Sequence, residues 1–190
     1  MFTIQQLFLA ASIILEILAY LFYIKAIFAG KAKPHRTTRI VLLILSTLAT
    51  ASLIAQGNLV AVWLAGVFAF FSLIIFLLSV RYGMGGWDKI DIISLVIALI
   101  GITIWKVTNN PSLALYSVVI ADFTGMVPTL LKTYHQPRTE VWYFFFLAAL
   151  GALLNLMAVQ TWTLQQYAYP LYIFLINVVM VGLTMKHKFN

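Results

Sequence analysis

The chain has 190 residues, of which 63% are hydrophobic and only 9% charged, where a soluble domain carries about 25% charged. Twelve basic and five acidic residues cannot cover a water-facing surface. That excludes an ordinary cytosolic enzyme, a disordered chain and a nucleic-acid-binding domain, and leaves a polytopic membrane protein.

A helix needs about 20 apolar residues to cross about 30 Å of hydrocarbon, and seven runs qualify. The first, Ile4–Phe28, has no Lys or Arg before Lys25. It lacks the positive flank of a signal peptide and is expected to remain as a span. It carries Glu16, with Tyr20 and Tyr23 one and two turns further on. The loop after it holds Lys31, Lys33, Pro34, His35, Arg36 and Arg39. This basic stretch is read as a topology determinant, with lipid-headgroup contact as the alternative. The second run, Ile40–Gln56, closes on Gln56. The third, Leu59–Val80, is rich in Phe (Phe68, Phe70, Phe71) and leads through Arg81 to Gly83-Met84-Gly85-Gly86, a turn signal. The fourth, Ile90–Trp105, lies between Lys89 and Lys106. The fifth, Ser112–Tyr134, carries Asp122, Gly125 and Pro128. The sixth, Val141–Gln160, carries Asn155 and ends on Gln160. The seventh, Tyr167–Met185, carries Asn177 and precedes Lys186, His187 and Lys188. Short loops predict that consecutive helices are antiparallel neighbours.

Every Lys and Arg except Lys106 then falls on one side. The positive-inside rule places the N-terminus outside and the C-terminus in the cytoplasm, as an odd number of spans requires. Trp63, Trp105 and Trp162 mark outer ends and Trp87 and Trp142 inner ends, an aromatic belt. The segment Tyr23-Ile24-Lys25-Ala26-Ile27, followed by Pro34-His35-Arg36-Thr37-Thr38, is echoed by Leu130-Leu131-Lys132-Thr133-Tyr134 and Pro137-Arg138-Thr139-Glu140. The expected fold is an all-α membrane protein of seven transmembrane helices in a 3+1+3 parallel repeat. Its parts are a first triple-helix bundle (1–86), a linker helix four (87–108) and a second triple-helix bundle (109–190).

The stretch from Asp122 through Gly125, Pro128-Thr129 and Lys132-Thr133-Tyr134 to Pro137-Arg138-Thr139-Glu140 resembles the second signature of the PQ-loop superfamily. That group includes SWEET and SemiSWEET sugar transporters, lysosomal amino-acid exporters and the KDEL receptor. The motif covers about 20 residues, and the layout covers the whole chain. The family's Pro-Gln reads Pro128-Thr129 here, and the first-repeat position reads Leu21-Phe22. The resemblance implies alternating access between two triple-helix bundles. It also places Asn177 about where SWEETs keep a sugar-contacting asparagine.

Glu16 and Asp122 are the two acids deep in spans, each near the midplane at 1.5 Å rise per residue. A charge there costs about 2.5–3.5 kcal/mol on insertion scales, so at least one of the two is expected to be a neutral acid. They are read as a proton-coupling or cation-binding pair facing a common axis; the alternative is structural hydrogen bonding between helices. Asn177 is expected to orient a polar solute, and Asn155 to bond a neighbouring helix or join the same site. Gly125 and Pro128 are read as a hinge, because proline removes a helix hydrogen bond. Gln56, Gln160 and Tyr20 are candidate gate residues. His35, His135 and His187 share no metal-binding spacing. No phosphate-binding loop and no Ser-His-Asp set occurs, so neither an enzyme nor a cofactor is expected.

The expected function is a SWEET-like transporter of a small polar solute, with proton coupling through Asp122 as a second expectation. A non-transporting receptor or scaffold on the same fold is the alternative. Membrane lipids are expected partners, nucleic acid is not, and a homo-oligomer is compatible. The short loops and the sequon blocked by proline at Asn110-Pro111-Ser112 point to a prokaryotic cytoplasmic membrane.

Overall fold

The computed structural model describes residues 3–85 and 89–186, and within them not the side chains of Ile90, Asp91, Ser94 and Pro128. The described chain is helical throughout: α1 (Ile4–Phe28), α2 (Arg36–Ala55), α3 (Ala61–Tyr82), α4 (Lys89–Thr108), α5 (Pro111–His135), α6 (Trp142–Ala158) and α7 (Leu164–Met185), with a 3₁₀ turn at Pro137–Thr139. Five of them, α1, α2, α3, α5 and α7, are long and apolar enough to cross a membrane. This is the mark of a multi-pass integral membrane protein. Of the other two, α6 has 17 residues and α4 spans Lys89–Thr108.

The helices are built inside out relative to a soluble bundle. Along α1 the buried stripe is Ser12, Glu16, Ala19, Tyr20, Tyr23, Ala26 and Ile27, spaced three and four apart as one helical face requires. Ile14, Leu18, Leu21 and Phe22 point outward. Buried Ser46, Ser52, Ser72, Ser79 and Thr133 follow the same rule. In lipid the outside must be apolar, while small and polar side chains pack and bond helix to helix.

Two residues bring helices close. On α6, Ala148, Gly151, Ala152 and Asn155 form a buried small-residue stripe. A Cβ at Gly151 would stand 3.2 Å from Glu16 Oε2 and 3.3 Å from the Ser12 carbonyl of α1. On α4, a Cβ at Gly101 would lie 2.4 Å from Ser117 Cβ of α5. The most extensive helix contacts are accordingly α1 with α6 and α4 with α5. α2 packs on α3 and α5, α6 on α7, and smaller contacts join α1 to α3 and α5 to α7. The rule that short loops join neighbours therefore holds for α2–α3, α4–α5 and α6–α7. It fails for α1–α2, α3–α4 and α5–α6, which are not principal packing partners. The small-residue face of α6 admits α1 more closely than α2 does.

The basic loop is also shorter than expected. α2 starts at Arg36, four residues before Ile40, because His35 caps it: its imidazole accepts from the Thr38 amide. Arg36 donates to the Ser79 and Val80 carbonyls at the end of α3, where a cation meets unpaired carbonyls. Arg39 thus sits inside a helix and is buried. The Gly83–Gly85 turn pairs with this segment, Met84 donating to the Pro34 carbonyl and accepting from the Arg36 amide.

Candidate functional site

Glu16 lies near the middle of α1 and Asp122 near the middle of α5. Both are buried, at 2% and 6% exposure. Both line one central cavity of about 50 Å³, together with Tyr20, Arg39, Thr129 and Asn177 and an apolar wall that includes Phe68, Phe144 and Ile173. This volume has room for a few water molecules and falls well short of the several hundred Å³ of an occupied ligand pocket. The cavity is therefore narrow.

The two acids are held differently. The Tyr172 hydroxyl donates to Asp122 Oδ2 from α7. Glu16 Oε2 has no hydrogen-bond partner among the described residues and rests against Gly151. Such a group in an apolar interior is costly unless it is neutral or meets a ligand. Tyr20 lines the same cavity: its ring stacks on Phe71 at 4.9 Å and 4° and meets Phe144 edge-on at 5.3 Å.

Other expected residues fall elsewhere. Asn177 lines the cavity while its amide donates 2.8 Å to the Ile173 carbonyl of its own helix. Asn155 does not line it; its amide donates to Ser12 Oγ and to the Val60 carbonyl, an interhelical tie. Gln56 caps the end of α2 and accepts from Ser112. Gln160 lies beyond the end of α6 and is exposed. Neither glutamine lines the cavity. Gly125 is buried in α5. The Pro128 side chain, Trp87 and His187 lie outside the described residues. Among the described residues no cluster of three or more His, Cys, Asp or Glu could hold a metal ion.

Sequence reasoning missed the charged end of the cavity. Arg39 Nη2 donates 2.8 Å to the Tyr23 hydroxyl, and Tyr23 donates 3.0 Å to Glu140 Oε2. Lys132 Nζ donates to Glu140 Oε1 at 2.5 Å and to the Lys33 carbonyl at 3.1 Å. The chain joins α1, α2, α5 and the segment just before α6. Burial makes it possible: Tyr23 is 0% and Glu140 5% exposed, and buried charges persist when paired and hydrogen-bonded. The available signal was Glu140 itself, one of five acids in the chain, eight residues from Lys132.

At the opposite end Asn58 was also missed. Its amide donates to the Gln165 and Gln166 carbonyls of α7, and its Oδ1 accepts from the Ala61 amide. Pro170, inside α7, has no N–H to offer the Gln166 carbonyl; Asn58 satisfies it instead.

No family model, no curated protein and no solved structure matches the chain. The functional reading therefore rests on the site.

Proposed function

We propose that this protein is a small-solute membrane carrier of the SWEET/PQ-loop type, working by alternating access between two triple-helix bundles around the central cavity. The observation that carries the reading is the meeting of Glu16, Asp122 and Asn177, from three different helices, in one central cavity. A buried polar cavity in a membrane protein is a functional feature by default.

The packing pattern supports the 3+1+3 repeat. Exchanging α1, α2 and α3 with α5, α6 and α7 turns the α1–α6 contact into α5–α2, α2–α3 into α6–α7, and α1–α3 into α5–α7. Each principal contact outside α4 thus has its counterpart. An axis along the membrane normal with the N-terminus outside agrees with the basic residues, which would then lie in the cytoplasm of a prokaryotic cell. In this reading Asp122 carries the coupling proton, with Tyr172 holding its carboxyl in place.

The test is counterflow in proteoliposomes with labelled sugars, amino acids, polyamines and nucleosides at two pH values. Exchange of at least one solute is expected. Asp122→Asn should abolish the pH dependence while the protein stays folded; an unchanged pH dependence sinks the coupling. The second reading, a receptor or scaffold on the same fold, is favoured by the aromatic filling of Tyr20, Phe68, Phe71 and Phe144 around so small a cavity. Saturable binding with no exchange would select it.

A further inference from the structure

The buried arginine has unused capacity. A guanidinium has five N–H donors, and among the described residues Arg39 makes one hydrogen bond, to Tyr23. Its side chain is 6% exposed and lines the central cavity. No hydrogen bond joins it to Asp122 or Glu16 across that cavity, although Arg39 and Asp122 lie within electrostatic reach of each other. Arg39 therefore offers a desolvated fork of donors to the cavity, the geometry that binds a carboxylate bidentately.

Tyr23 in turn leads to a second cavity through Glu140. Glu140 lines a second cavity of about 540 Å³, open at the surface and walled by Lys31, Arg138, Val141 and Trp142 among others. Arg39 faces the central cavity, Glu140 faces this vestibule, and Tyr23, fully buried, links them. The hydrogen-bonded chain Arg39–Tyr23–Glu140 thus connects a lining residue of one cavity to a lining residue of the other. Lys31 and Arg138 give the vestibule a positive lining, which draws anions inward.

We propose that Arg39 is the carboxylate-binding residue of the central cavity, and that a solute carboxylate bound there displaces Tyr23 from the guanidinium and breaks the hydrogen-bonded link to the vestibule. The inference rests on the reading of the cavity as a solute site. It deepens that reading by naming the solute's anionic group and the link it acts on. Glu16 and Asp122 share the cavity, so the anionic part of the solute belongs at the Arg39 end and any amino group at the other.

Four probes of similar size or simple polarity test it on the purified full chain by thermal shift: alanine, propionate, alaninamide and glucose. A ligand of the folded state raises the melting temperature with its concentration. Alanine or propionate is expected to do so, and alaninamide and glucose are not. Arg39→Gln should abolish the shift. Arg39→Lys should weaken binding at least tenfold, because lysine keeps the charge and loses the fork. Tyr23→Phe should preserve or tighten binding, since it frees the guanidinium. The chain has no cysteine, so Ala26→Cys, buried one turn beyond Tyr23, gives a single reporter. Its thiol labelling should speed up when the carboxylate binds. Should the Arg39 variants fail to fold, the four probes on the unaltered protein and the Ala26→Cys reporter still decide. A shift from alaninamide or glucose as large as that from alanine overturns the inference. So does no shift from any probe, or a carboxylate shift that survives in Arg39→Gln. Exchange of carboxylate-free solutes in proteoliposomes would leave transport standing and remove this inference. Carboxylate binding without exchange would do the reverse.

Discussion

At the basic end of the bundle, α1, α2, α5 and the segment just before α6 are joined by Arg39, Tyr23, Glu140 and Lys132, three charged groups and one hydroxyl with 2.5–3.0 Å hydrogen bonds. At the opposite end the tie is neutral. One amide, Asn58, holds the α2–α3 loop to α7 through two carbonyls. Both ties join the first three helices to the last three, yet they respond to different things. The charged chain depends on every partner, because removing one strands another in a low dielectric. The amide depends only on its carbonyls, and its loss releases a modest hydrogen-bond energy. A barrier that must yield to a charged solute needs the first design; a fixed strap needs only the second.

The contrast is sharpest under mutation. Glu140→Ala leaves Lys132 and the Arg39–Tyr23 pair without their acceptor, and should cost about 3–5 kcal/mol, read as a large fall in melting temperature in detergent. A fall of under 1 kcal/mol would mean the chain is solvated and not a barrier. Asn58→Ala should cost less, about 1–3 kcal/mol, since it leaves the Gln166 carbonyl opposite Pro170 unsatisfied. Equal losses from both substitutions would erase the distinction between the ends. Gly151→Ala acts between the ends, where α1 presses on α6. It should cost about 1 kcal/mol or somewhat more, because the Ser12 carbonyl 3.3 Å from the new Cβ is backbone and yields little. Smallest of all should be Glu16→Gln, within about 1 kcal/mol of the parent. A neutral amide replaces an acid that already lacks a partner on Oε2 among the described residues. A loss above 3 kcal/mol would show that Glu16 is a paired charge.

The same amino acids explain how far sequence alone reaches. Hydropathy located α1 to the residue, Ile4–Phe28, because its ends are marked by Thr3, whose side chain caps the first turn, and by the basic loop beyond Phe28. It placed the start of α2 late, at Ile40, because a hydropathy pattern begins where apolar residues begin. The helix begins at its cap, His35, and its first turn, Arg36 to Arg39, is polar or basic and so not visible in the pattern. Glu16 and Asp122 were legible as candidates because an acid deep in an apolar run is anomalous wherever it points. Arg39, Tyr23, Lys132 and Glu140 were not. Each stands near a helix end, where charges are common, and only their meeting is unusual.

Sequence by itself thus determined the membrane class, the seven helices and the two acids near the middle of α1 and α5. Those follow from the local physics of transfer into hydrocarbon, which each segment obeys alone. Tertiary structure decided that α1 packs on α6 rather than α2, that Glu16 and Asp122 share a cavity with Arg39, and that Asn58 straps one end while a charged chain closes the other. Those depend on which helix faces meet. Small residues such as Gly151 set that approach, and nothing in one segment reveals the face of another.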